Sequence, residues 1–227
     1  MREAVIVSAA RTPIGKAYRG AYNNTAAPTL ASYSIKEAVS RAGIDPEEVD
    51  DVVMGCAQQQ GSQALNIGRL GGIAAGLPNT VSGMTIDRQC SSGMMAIATA
   101  SKQIITDNMD TVVAGGVESI SLVQTAEIRL DIDPNVTEHA EHAYMPMIET
   151  ADNVAEKYNV SREDQDEYSL QSQQRTASAQ ESGIYTDEVI STSTIKLVKD
   201  KESGEISEEE VVLEKDEGNR PETNLEG

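Results

Sequence analysis

A chain of 227 residues is long enough for one large domain, or for one domain with an insertion, and it can bury a real hydrophobic core. With 18 Lys and Arg against 37 Asp and Glu its formal charge is −19, which argues against non-specific binding to nucleic acid or to an acidic membrane, since both need a basic face. Residues 1–150 hold 17 acids and 10 bases and residues 151–227 hold 20 and 8, so the excess marks the second part as a solvated, solubilising surface.

Ala4–Ala9 is a short continuous apolar run, which predicts a strand covered on both faces. A loop punctuated by Pro13 and Gly15 follows, and apolar residues at 30, 31, 35, 38 and 39 predict a helix from Thr29 to Arg41, stopped by Gly43. Asp45-Pro-Glu-Glu has the cap, the proline and the acids of a helix start. Asp51–Gly55 predicts a second strand, 66–75 a helix whose glycines allow close packing, Thr80–Ile86 a third strand, 91–107 a helix and Thr111–Gly116 a fourth strand. Strands alternating with helices at this spacing imply right-handed crossovers, and so an α/β fold with a mainly parallel sheet and helices on both faces.

After Glu118 the pattern changes. Residues 119–147 show no clear period, Glu149–Tyr158 looks helical, and Ser161-Arg-Glu-Asp opens a polar helix that runs to Ser182 with a capping box. Residues 188–198 and 209–213 predict the arms of a hairpin around the turn at 202–205. Packing must rest on aliphatic side chains and Met, because the chain has seven Tyr but neither Phe nor Trp. The N-terminus lacks the basic and apolar regions of a secretory signal, and no apolar run approaches the roughly 20 residues of a bilayer span, so a cytoplasmic protein with reduced cysteines is expected.

The chemistry concentrates at Cys90. It joins a β-branched, extended run to an Ala-rich helical one, in Met84-Thr-Ile-Asp-Arg-Gln-Cys-Ser-Ser-Gly-Met-Met-Ala. A thiol just before a helix faces unpaired N–H groups and the positive end of the helix dipole, which favour the thiolate. Ser91, Ser92 and Gly93 are small, and are expected to leave room for a substrate carbonyl while backbone N–H groups meet the developing oxyanion. The other cysteine, Cys56, follows the second strand directly and reads as a packed thiol. His139 and His142 are three residues apart beside Glu138 and Glu141; an acidic solvated loop accounts for them better than a metal pair, and no metal is expected.

Four motifs in order, Ser8-Ala-Ala-Arg-Thr-Pro-Ile-Gly, Cys90-Ser-Ser-Gly, Ala114-Gly-Gly-Val-Glu-Ser, and Glu149-Thr-Ala-Asp-Asn-Val-Ala-Glu-Lys-Tyr with Ser161-Arg-Glu-Asp-Gln-Asp, resemble the N-terminal half of a thiolase, the family of acetyl-CoA C-acyltransferases and acetyltransferases. The resemblance spans the whole chain. It implies the first half of a five-layered αβαβα fold over residues 1–118 and an inserted, CoA-binding loop domain over 119–227, with the chain ending before the C-terminal half. It also implies a ping-pong acyl transfer between CoA thioesters through an acyl-cysteine, as thiolytic cleavage of a 3-ketoacyl-CoA in fatty acid metabolism or as condensation of acetyl-CoA. No cofactor is implied beyond the CoA thioester itself as substrate.

By this resemblance Cys90 matches the acylated nucleophile, Met147 a methionine lining the acyl pocket, and Arg220 an arginine lying against the CoA adenine. Many family members carry His just before that methionine. Here it is Pro146, which leaves acyl length open. The family's base lies in a Gly-His-Pro motif and its second cysteine in Cys-x-Gly; neither occurs in these 227 residues, so the isolated chain is expected to be inactive or nearly so. The implied partners are acyl-CoA or CoA, a C-terminal thiolase half if encoded separately, and further copies in a homo-oligomer. The competing reading is a non-catalytic acyl-CoA-binding or partner subunit, against which the retained Cys90-Ser-Ser-Gly speaks.

Overall fold

The computed structural model describes residues 2–127 and 131–226. Contacts divide the chain into two compact units, one comprising 1–126 with 185–218 and the other 127–184 with 219–227. The first unit is built on three parallel strands in the order β2-β1-β3, namely β1 (Asp51–Gly55), β2 (Ser82–Ile86) and β3 (Val112–Gly116). Their register sets Val53 beside Met84 on one side and Ala114 on the other. α1 (Ala27–Ala42) precedes the sheet, and the crossovers are made by α2 (Ile67–Ala74), between β1 and β2, and α3 (Ser92–Thr106), between β2 and β3.

Every residue of β1 is buried, and its alternation assigns the two faces. Val52 and Met54 pack with Ala27, Ala31, Ile35 and Val39 of α1 and Ile67 of α2, whereas Val53 packs with Ala96 and Ala100 of α3. The α1 residues recur at intervals of four, which puts them on one stripe of the helix. Gly68 lets α2 lie directly on the sheet, since a methyl group there would come within 2.3 Å of the Met84 carbonyl oxygen and 2.6 Å of that of Val52. For α1–α3 and β1–β3 the predicted boundaries hold to within two residues for reasons visible in the chain, whereas the hairpin arms begin at 192 and 206 rather than at 188 and 209. Gly43 closes α1 in the left-handed region at φ +67°, and the Asn66 side chain caps α2 by accepting the Arg69 N–H. Asp45 caps a single 3₁₀ turn rather than a longer helix.

The expected strand over Ala4–Ala9 does not form. Val5, Ile6 and Val7 are 71%, 80% and 72% exposed, and the segment runs beside α1, where Ala9 accepts a hydrogen bond from Arg41 and Ala38 accepts one from the Ser8 hydroxyl. Apolar, β-branched composition predicts strand propensity, but a strand also needs a free neighbouring edge, which composition does not supply.

A hairpin of β4 (Thr192–Lys199) and β5 (Ile206–Leu213) also belongs to the first unit. Asn23 acts on it as a surrogate strand residue, donating to the Leu197 carbonyl at 2.8 Å and accepting the Leu197 N–H at 2.9 Å. Thr25 meets Thr194 through their hydroxyls at 2.6 Å, and Tyr22 meets Thr192 in the same way. Beyond β5, Asp216 takes both ends of the Arg11 guanidinium, at 2.7 and 3.1 Å, and the Ile14 N–H at 2.7 Å. Burial alone would raise the Asp216 carboxyl, but Arg11 and the Ile14 amide outweigh it and hold it below the usual carboxylate range. A depressed carboxyl stabilises the fold above its unfolded pKa of about 4, and that contribution is lost as the pH falls through the lower folded value. Asp216→Asn should therefore melt below the wild type at pH 7, by about 1–3 kcal/mol, with the gap closing in melts run below pH 4.

The second unit contains α5 (Pro134–His139), α6 (Met147–Tyr158) and α7 (Arg162–Glu181), while the short α4 (Ile120–Val123) belongs to the first. Ser161 and Asp164 form the predicted capping box of α7, the Ser161 hydroxyl accepting the Asp164 N–H at 3.0 Å and the Asp164 carboxylate accepting the Ser161 N–H. No residue of α6 or α7 is buried, as the polar circumference of α7 predicts. Among the described residues no helix is long and apolar enough to cross a membrane.

Candidate active site

Cys90 stands at the tip of a tight elbow between β2 and α3, exposed, with no disulfide. The elbow is made by its neighbours. Asp87 accepts the Gln89 N–H on its carboxylate at 2.8 Å, an Asx turn that reverses the chain as it leaves β2. Gln89 then occupies the left-handed region at φ +49°, unusual for a side chain of this size. Ser91 and Ser92 return their N–H groups to the carbonyls of Arg88 and Gln89, at 3.1 and 3.0 Å. The Ser91 side chain makes no cap for α3, so Cys90 precedes the bare positive end of a 15-residue helix.

Ser92 departs from the sequence reading, which had it leaving room for substrate. It is 4% exposed and turned inward, its hydroxyl accepting the Arg88 N–H at 2.9 Å and donating to the Gln89 carbonyl at 2.6 Å. Beneath the elbow, a methyl group on Gly55 would fall 2.3 Å from the Ser92 carbonyl carbon and 2.4 Å from the Gly93 nitrogen. A methyl group on Gly116 would come 3.2 Å from the Gly93 Cα, a looser approach, so the ends of β1 and β3 both lie against the first turn of α3, β1 more closely. Smallness here serves packing below the thiol. The sequence offers only weak signals of this, a glycine ending the Val52–Met54 run and an Asp two residues ahead of Gln89.

Cys56 is the opposite kind of thiol. It is fully buried, Gln63 donates to its sulfur at 3.3 Å, and burial, followed by the charge of Glu118, pushes its pKa up to about 12. The Glu118 carboxylate accepts the N–H groups of Ala57 and Gln58 at 3.0 and 3.1 Å, tying the end of β3 to the end of β1. Cys56 therefore stays protonated and inert at neutral pH.

Of the other predicted site residues, Met147 opens α6 in the second unit, 68% exposed. Arg220 lies in the same unit. Its backbone N–H is fixed to the Gln173 side-chain oxygen at 2.8 Å, Asn219 binds Gln173 as well, and the Arg220 side chain is exposed. His139 and His142 are both exposed. Among the described residues no group of three or more His, Cys, Asp and Glu could hold a metal ion.

A parallel α/β sheet carrying an exposed cysteine at a helix start can present that thiol to an incoming electrophile. The family model for the thiolase N-terminal domain matches residues 4–227, and the chain belongs to the thiolase family. It is 40% identical over 223 residues to the 3-ketoacyl-CoA thiolase of Bacillus subtilis (strain 168), a match covering 98% of this chain and 57% of that protein. It is 39% identical over 245 residues to the 3-oxoadipyl-CoA/3-oxo-5,6-dehydrosuberyl-CoA thiolase of Escherichia coli (strain K12), covering 100% and 58%. The crystal structure of the Bacillus anthracis acetyl-CoA acetyltransferase superposes with a TM-score of 0.79 at 38% identity, covering the whole chain and 57% of that one. The chain thus spans a little over half the length of the relatives it matches.

Proposed function

We propose that this chain is the nucleophile-bearing part of an acyltransferase acting on CoA thioesters, with Cys90 as the residue that carries the acyl group. The exposed thiol at the start of α3 carries the reading, together with membership of a family whose named relatives act on 3-ketoacyl-CoA and related thioesters. In the acyl-capture step the Cys90 thiolate attacks the thioester carbonyl carbon. The bond from that carbon to the CoA sulfur breaks, CoA leaves as a thiolate and takes up a proton, and the acyl group remains on Sγ. The positive end of α3 faces the oxyanion that forms in this step.

Met147 and Arg220 are proposed to serve the same substrate, the first against the acyl chain and the second against the nucleotide of CoA, where a guanidinium can stack on a ring and offset phosphate charge. We assign the second unit to that binding role, and the working form to a cytoplasmic homo-oligomer. The acid–base groups of full turnover are proposed to come from residues outside these 227, because a Gly-His-Pro and a Cys-x-Gly are missing here. Losing such groups costs roughly 10²–10⁴ in rate each. Mixing the chain with acetyl-CoA should therefore release about one equivalent of free CoA thiol per chain and then stop. No release would contradict acyl capture, and sustained release would contradict the missing acid–base groups.

A further inference from the structure

We infer that Ser92 is the positioning residue of this site, holding Gln89 in its left-handed conformation and thereby aiming the Cys90 thiol outward; the inference rests on the reading of Cys90 as nucleophile. The inward-turned Ser92 hydroxyl spans the Arg88–Gln89 pair, accepting the Arg88 N–H at 2.9 Å and donating to the Gln89 carbonyl at 2.6 Å. The second residue of that pair, Gln89 at φ +49°, is the one residue of the elbow in the left-handed region. A non-glycine residue persists in this region only where its surroundings over-determine it, and such strain collects at functional sites. Asp87 holds the N–H side of Gln89 and Ser92 holds its carbonyl side, so Cys90, the next residue, inherits its direction from both. Ser92 itself is 4% exposed and meets the end of β1 at Gly55, which anchors the brace to the rigid sheet. It acts through Gln89 and takes no part in the covalent step.

The test compares the rate of Cys90 modification in the wild type, Ser92→Ala, Gln89→Gly and the double variant, with two probes. Iodoacetamide reports the elbow alone and acetyl-CoA reports acyl capture. Ser92→Ala should slow modification at Cys90 by at least about fivefold with both probes, because only Asp87 and the Ser92 backbone N–H then hold Gln89 in the strained region. Gln89→Gly should restore most of the rate in the Ser92→Ala background, since glycine adopts a positive φ without a brace. A hydroxyl serving stability alone would be reflected in the melting temperature, and Gln89→Gly would not recover the rate. Unchanged iodoacetamide kinetics in Ser92→Ala, or a loss that Gln89→Gly fails to rescue, overturns the inference. A wild type that reacts with iodoacetamide but not with acetyl-CoA overturns the functional reading instead, and the iodoacetamide series still decides the role of Ser92.

Discussion

Gly55→Ala is expected to be among the most damaging single-methyl changes in this chain. The added carbon would sit 2.3–2.5 Å from the backbone of Ser92 and Gly93, and backbone cannot rotate aside as a side chain can. Either β1 bends away from its two neighbours or α3 lifts off the sheet. Overpacking of this kind costs about 2–3 kcal/mol, a drop of roughly 5–10 °C in melting temperature for a chain of this size. Lifting α3 also displaces the elbow, so Cys90 modification should slow in the population that stays folded. Gly218→Ala is the matched control: nothing lies within 4 Å of its added methyl, and its melting and labelling should stay at wild-type values. A Gly55→Ala protein with wild-type melting and labelling would show that the support beneath the thiol is not needed.

The second large effect is at the sulfur itself. Cys90→Ser exchanges Sγ for an oxygen that is hardly ionised at neutral pH, and the release of CoA from acetyl-CoA should fall by at least about 10³-fold. The fold should be indifferent, because Cys90 is exposed and bridges nothing. Cys56→Ser makes the reverse prediction. It puts a hydroxyl in a fully buried site beside Glu118, so stability should suffer while acyl capture by the folded fraction persists.

The central strand was legible in the sequence because burial on both faces writes itself as a continuous apolar run. Val52, Val53 and Met54 announce β1 without reference to any other part of the chain. Helix ends were legible for local reasons too, in Gly43, Asn66 and the Ser161–Asp164 pair. Ala4–Ala9 shows where local reading stops: it has the composition of β1, yet pairing is decided by a distant edge, and the segment lies exposed beside α1. At the site, the position of Cys90 followed from a strand signal meeting a helix signal. The inward turn of Ser92 and the left-handed Gln89 did not, since a serine near a helix start serves equally well as cap, solvent contact or brace. Only three-dimensional packing against Gly55 selects the brace.

The most direct test of acyl capture is its location. Native chain incubated with acetyl-CoA at neutral pH, quenched in acid and digested, should carry one acetyl group on the peptide containing Cys90 and none on the peptide containing Cys56, whose thiol is buried and titrates at about 12. Acetyl found on Cys56, on lysines alone, or nowhere would contradict the assignment of Cys90 as the acyl carrier.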